Sequence, residues 1–141
     1  MNTDLKLIVG GSHTDSRGTI VFINDFDMTP VKRFYRIKHQ DTKTIRGWRA
    51  HRIEQRWFHV NQGVFEVRLI AIDNWTTPNP SLPQKKITLQ ATDNAVLHIP
   101  AGYASAIQAK VADSELTVFA DYDIDHAKND DYLYPITYFN A

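Results

Sequence analysis

Apolar and polar residues alternate along most of this chain, and turn residues interrupt the alternation at short intervals. Residues 5–9 form a short apolar run ending at Gly10-Gly11, followed by a polar turn over 13–18. Residues 19–24 are a β-branched run, and 31–38 alternate with Val31, Arg33, Tyr35 and Ile37 on one face. Residues 64–72, 85–89, 95–99, 105–110 and 116–122 each read as a strand. Residues 74–83 contain prolines that cannot donate to a ladder, which makes that segment a loop. The tail from 123 onward is polar and then aromatic, with one helical turn expected over 125–131. Strand signals recur every ~8–12 residues and no long helical period appears, a pattern that predicts an all-β sandwich or barrel. A jelly roll encloses a small-molecule cavity within a chain this short.

The pattern is least ordinary over 46–63, R-G-W-R-A-H-R-I-E-Q-R-W-F-H-V-N-Q-G. Taken as one strand, it turns Arg49, His51, Ile53, Gln55, Trp57 and His59 to one side. Arg52, Glu54, Arg56, Phe58 and Val60 then face the other. A core strand would carry Val, Leu or Ile where this one carries an arginine, a histidine, an amide and an indole. That mixture suits the wall of a small-molecule pocket. Gly63, between two strand patterns, predicts a tight hairpin.

Composition narrows the classes. A chain of 141 residues predicts a single domain with a core of its own. The absence of cysteine excludes disulfides, thiolate metal sites and a cysteine nucleophile, and fits a reducing compartment. No basic and apolar leader opens the sequence, and no apolar run nears the ~20 residues of a membrane helix, so a cytoplasmic protein without membrane association is expected. The 16 basic and 16 acidic residues balance, which argues against nucleic acid as a partner and leaves an anionic ligand to a local cluster.

Arg46-Gly47-Trp48-Arg49-Ala50-His51, followed by Glu54-Gln55 and Gly63, resembles the first cupin motif of dTDP-sugar 3,4-ketoisomerases, which reads R-G-x-H-A-H. Residues 100–105, P-A-G-Y-A-S, resemble the second motif, P-x-G-x-x-H. Asp15-Ser16-Arg17-Gly18, residues 31–35, Ser114-Glu115-Leu116 and Ala120-Asp121-Tyr122 fit the same family, so the likeness runs from about residue 11 to 134. It implies a cupin double-stranded β-helix and a homodimer; the short strand at 5–9, with no required partner in its own chain, agrees with pairing across an interface. The family acts on dTDP-4-keto-6-deoxyglucose. Two motif histidines are replaced here, by Arg49 and Ser105, and the motif carboxylate falls at or beside Gln55, with Glu54 on the opposite face by parity. A cupin metal site needs three or four converging N/O ligands, and arginine cannot serve as one, so neither a metal nor another cofactor is expected.

The implied chemistry shifts a keto group between adjacent sugar carbons through an enediol. It needs a base that titrates near neutrality and a donor for the enediolate oxygen. His51 is the candidate base and Tyr35 the candidate proton donor or orienting group. Arg46, Arg49, Arg33, Arg17, Gln55, Trp57 and Ser105 are the candidate substrate contacts, the arginines because a guanidinium fork matches phosphate and sugar oxygens. Arg49 beside His51 is expected to lower the imidazole's proton affinity and keep it neutral. The plainer roles are a hydrogen-bonded core histidine for His51, packing for Tyr35 and Trp57, and a hairpin cap for Arg46. His13, His39, His98 and His126 read as structural or solvated, and His59 lies too far along an extended strand to pair with His51. A metal-independent nucleotide-sugar isomerase is the first expectation. A non-catalytic sugar or nucleotide-sugar binding cupin, a dTDP-sugar 3,5-epimerase-like enzyme and a structural jelly roll are the alternatives.

Overall fold

The computed structural model describes residues 4–140. Twelve strands build it: β1 Lys6–Val9, β2 Gly11–Asp15, β3 Gly18–Phe22, β4 Arg33–His39, β5 Ile45–His51, β6 Arg56–Gln62, β7 Val64–Ala71, β8 Lys85–Gln90, β9 Ala95–Ile99, β10 Tyr103–Ala109, β11 Ser114–Ala120 and β12 Tyr132–Leu133. A four-residue helix α1, Ile124–Ala127, and a 3-10 turn, Lys128–Asp130, precede β12. One five-stranded sheet runs β1-β9-β6-β11-β4 and the other β12-β5-β10-β7-β8, all antiparallel. Two packed antiparallel sheets are the all-β sandwich that the strand spacing predicts, in the jelly-roll form that the resemblance implies. No helix among the described residues is long and apolar enough to cross a membrane.

The alternation that marks the strands also sorts their side chains. Phe58, Val60, Phe65, Val67, Leu69, Leu97, Ile99, Leu116 and Val118 pack together between the sheets. A second cluster, Trp48, Ala50, Ile70, Ala104, Ala106 and Phe139, lies on the outer face of the second sheet. The aromatic tail covers it: Tyr132, Tyr134 and Tyr138 pack against that cluster. The tail is thereby fixed to the body, and with it the acidic residues just before β12.

Several expectations are corrected. Residues 46–63 are two strands, not one: β5 ends at His51, residues 52–55 turn, and β6 starts at Arg56 in the other sheet. Gly63 does not close a hairpin ladder, because β6 pairs with β9 and β11 while β7 pairs with β8 and β10. Its positive φ of 77° instead carries the chain from one sheet to the other. The polar segment after Gly11 is not merely a turn, since β2 pairs with β3 in a separate two-stranded sheet. The apolar strand at the start has a partner in its own chain: β1 pairs with β9.

Candidate active site

Two local irregularities shape the site. The first is a bulge where β5 meets β10. Arg46 stands opposite Ile107 and Arg49 opposite Ser105, so Gly47 and Trp48 together face the single residue Ala106. The extra residue reverses parity, and Arg46 and Arg49 face the interior together. Gly47 makes this possible. A Cβ there would lie 2.7 Å from the Cα of Ala106, and its φ is +153°.

The second irregularity is the turn over 52–55, which contains neither glycine nor proline. The side chain of Asp130, only 1% exposed, supplies its anchor. The Asp130 carboxylate accepts hydrogen bonds from the backbone N–H groups of Arg52 at 2.8 Å, Ile53 at 3.0 Å and Glu54 at 2.7 Å. Successive N–H groups converging on one anion form a nest. The turn leaves Ile53 exposed and brings Glu54 and Arg56 inside with His51.

Arg46, Arg49, Arg56 and Ser105 line a cavity of ≈ 190 Å³ together with the apolar residues Phe58 and Ile107. Arg49 Nε pairs with Asp131 at 3.0 Å. Arg56 is 4% exposed, its Nη2 makes no hydrogen bond, and no ion pair to it occurs among the described residues. Burial pushes its proton affinity below the ordinary arginine value.

His51 lies beside this cavity rather than on its wall. Its Nδ1 is 2.7 Å from the backbone carbonyl of Asp130. A carbonyl only accepts, so Nδ1 carries the hydrogen and Nε2 of the neutral ring is bare. Nε2 faces Glu54 Oε2 at 3.6 Å and has no hydrogen-bond partner. The ring's pKa is lowered to about 4, chiefly by burial and then by the Arg56 charge, against the opposing pull of Asp130. Arg49 contributes in the expected direction but least among these groups. Glu54 is also buried, which raises its pKa, while Arg33 Nη2 at 3.0 Å from Oε1 opposes the rise. Arg33 Nε donates to the Tyr122 carbonyl at 3.1 Å, and its guanidinium lies over the Tyr35 ring, 5.2 Å from the centroid.

Of the residues singled out in the sequence, the structure brings Arg46, Arg49 and Ser105 to the cavity. His51 lies next to it, with Arg33 and Tyr35 beyond on β4. Gln55 and Trp57 are corrections, because the 52–55 turn sends them to the outer face of the first sheet. There Gln55 holds Asp121 with its backbone N–H at 2.7 Å and accepts from His98 Nε2 at 2.8 Å. Trp57 stacks on the His98 ring at 4.9 Å. Arg17 is also outside the cavity: it caps the β2–β3 turn, exposed and paired with Asp15 at 2.7 Å. Single-strand parity hid Glu54 and Arg56. Asp130 and Asp131 carried no local signal, although a charged Arg56 beside Trp57-Phe58 in a strand pattern was a visible oddity. Among the described residues no group of three His, Cys, Asp or Glu side chains is placed to hold a metal ion.

The family model described as "FdtA: WxcM-like, C-terminal" matches residues 3–141. The chain belongs to this family. No curated protein sequence matches it. Among solved structures, the FdtA-family chain is similar to a 3,4-ketoisomerase from Helicobacter canadensis at 22% identity and TM-score 0.68, covering 88% of this chain and 89% of that one. A 3,4-ketoisomerase from Thermoanaerobacterium thermosaccharolyticum, solved in complex with TDP-4-keto-6-deoxyglucose, gives 21% identity, TM-score 0.69 and coverage of 93% and 88%. The dTDP-4-dehydrorhamnose 3,5-epimerase from Sulfolobus tokodaii gives 18% identity, TM-score 0.76 and coverage of 97% and 80%. At these identities the likeness establishes the shared cupin fold.

Proposed function

We propose that this protein isomerises a nucleotide-linked 4-keto-6-deoxy sugar, without a metal, by proton transfer through an enediol. The observation that carries this reading is the neutral His51 ring, fixed through Nδ1 with its Nε2 bare, beside a cavity lined by three arginines. Nε2 takes the proton from the sugar carbon next to the carbonyl. The C–H electrons form the new C=C bond, and the carbonyl oxygen becomes an enediolate. A proton returned to the former carbonyl carbon, with loss of the neighbouring hydroxyl proton, completes the shift. Tyr35 is the proposed donor to the enediolate oxygen. Arg46 and Arg49 hold phosphate or sugar oxygens, with Ser105 and Arg33 as further polar contacts. His51 is off the cavity wall in the free protein, so the step draws ring and substrate together on binding, as catalytic hydrogen bonds commonly tighten only with substrate. A nucleotide-activated substrate fits an activity in the cytoplasm.

The family implies a homodimer, and the surface agrees with it. Ile20, Val21 and Phe22 on β3 and Leu7 and Val9 on β1 are exposed. Light scattering at micromolar concentration reporting a monomer removes that part of the proposal.

The test of the activity is incubation with dTDP-4-keto-6-deoxyglucose in D₂O, followed by proton NMR, with His51→Asn in parallel. Conversion or deuterium uptake that vanishes in the variant supports the isomerase. One observation favours a second reading: Arg49, in the place of the family's first motif histidine, is tied to Asp131 and cannot act as a base. Ligand-shifted resonances without exchange would make the protein a non-catalytic nucleotide-sugar binder.

A further inference from the structure

His51 Nε2 and Glu54 Oε2 face each other at 3.6 Å, and neither has another hydrogen-bond partner. Both side chains are buried. Each atom's orientation is imposed from its far side. The Asp130 carbonyl takes Nδ1–H, which turns the bare Nε2 toward Glu54. Arg33 takes Glu54 Oε1, which leaves Oε2 toward His51. The Asp130 carboxylate takes the Glu54 backbone N–H, so one residue positions both partners. An imidazole lone pair and a carboxylate oxygen are both acceptors, and two buried acceptors face each other at a cost unless a proton lies between them.

We propose that Glu54 is the positioning residue for His51: the two side chains bind one proton between them, and Glu54 thereby sets the pH above which Nε2 is free to take one from substrate. This rests on the isomerase reading for its catalytic meaning, but the shared proton is a property of the free protein. The charged groups around the pair are Arg33 from β4, Arg49 from β5, Arg56 from β6, Asp121 at the end of β11 and Asp130 from the 3-10 turn. Burial acts oppositely on the two, raising the carboxyl and lowering the ring, so the shared proton, once bound, sits on Glu54. Above that pH the pair carries no proton, so a proton that Nε2 takes from substrate is held against the Glu54 carboxylate 3.6 Å away.

The experiment is a ligand-free pH titration of the full chain, following the His51 ring nitrogens and the Glu54 carboxyl carbon by NMR, in wild type and Glu54→Gln. The expected result is one common protonation step seen by both nuclei in wild type. In Glu54→Gln the ring loses that step and takes its proton only at lower pH. Two independent steps in wild type, or an unchanged ring titration in Glu54→Gln, overturns the proposal. The wild-type comparison alone decides the matter if the variant does not fold. In turnover, the acid limb of kcat/KM should move in Glu54→Gln and return toward wild type in Glu54→Asp. An inactive wild type with a shared step would count against the isomerase and leave the pair standing.

Discussion

The backbone carbonyl of Asp130 holds His51 Nδ1 at 2.7 Å, while its carboxylate gathers the N–H groups of Arg52, Ile53 and Glu54. One residue from the tail thus sets the ring's tautomer and the turn that brings Glu54 and Arg56 inside. Asp130→Ala keeps the carbonyl that holds His51 but removes the buried carboxylate that accepts from the three N–H groups of the turn. Hydrogen bonds to charged groups contribute ~1.5–3 kcal/mol each and leave unsatisfied buried donors when lost, so a destabilisation of about 3 kcal/mol or more is expected. Asp130→Asn, which retains one oxygen, should cost less. Urea denaturation of both variants checks the order.

Stability should depend on pH through His51. The native ring titrates at about 4, against an ordinary 6.5 that the unfolded chain regains. Between those values the unfolded chain binds a proton that the native state refuses. The contribution is therefore complete above pH 6.5 and is lost as pH falls toward 4, by roughly 3 kcal/mol at ~1.36 kcal/mol per unit. Glu54 acts in the opposite sense, because its raised carboxyl favours the native state at low pH and loses that contribution as pH rises through its folded value. Wild type should show the His51 loss only in part. Glu54→Gln should show it in full, and His51→Gln not at all. Denaturation series between pH 4 and 7.5, about a unit beyond the ring's ordinary value, test all three.

How much of this was legible depends on distance along the chain. β4 alternates without interruption, so Arg33, Tyr35 and Ile37 could be assigned to one face from sequence alone. The cupin architecture was equally open, since strand spacing and motif fragments agree. The site itself depends on two parity breaks that leave different traces. Gly47 hints at the β5 bulge, but Arg52-Ile53-Glu54-Gln55 contains no turn residue, and its anchor lies 76 to 78 positions away. Local alternation therefore assigned Gln55 and Trp57 to the pocket and Glu54 and Arg56 away from it, the reverse of what the Asp130 carboxylate enforces.

The bulge at Gly47 should be intolerant of any side chain. In Gly47→Ala the new Cβ meets the Ala106 Cα at 2.7 Å and the Ser105 carbonyl oxygen at 2.8 Å, both in a paired neighbouring strand. Gly102 has a positive φ of 96°, but nothing lies within 4 Å of the place a Cβ would take, so Gly102→Ala carries the backbone cost alone. Overpacking and backbone strain each cost ~1–3 kcal/mol, which puts Gly47→Ala at about 3 kcal/mol or more and Gly102→Ala near ~1 kcal/mol. Thermal unfolding gives the ranking. Equal losses would mean that the bulge relaxes, and Arg46 and Arg49 need not then share the cavity.

Arg33 and Glu54 provide the sharpest test of the buried charge arrangement. Glu54 is fully buried and Arg33 less so, and their contact at 3.0 Å is the ion pair that compensates the carboxylate. Breaking such a pair from one side costs ~3–5 kcal/mol, because the remaining charge is left buried, whereas replacing both partners by apolar groups is often close to neutral. Arg33→Leu should therefore destabilise by about 3 kcal/mol at pH 7, and less at pH 5, where the raised carboxyl protonates more readily. Arg33→Leu combined with Glu54→Leu should recover much of the loss. A double variant no more stable than Arg33→Leu would show that the pair is not a local unit, and that Arg33 matters mainly through its bond to the Tyr122 carbonyl and its packing on Tyr35.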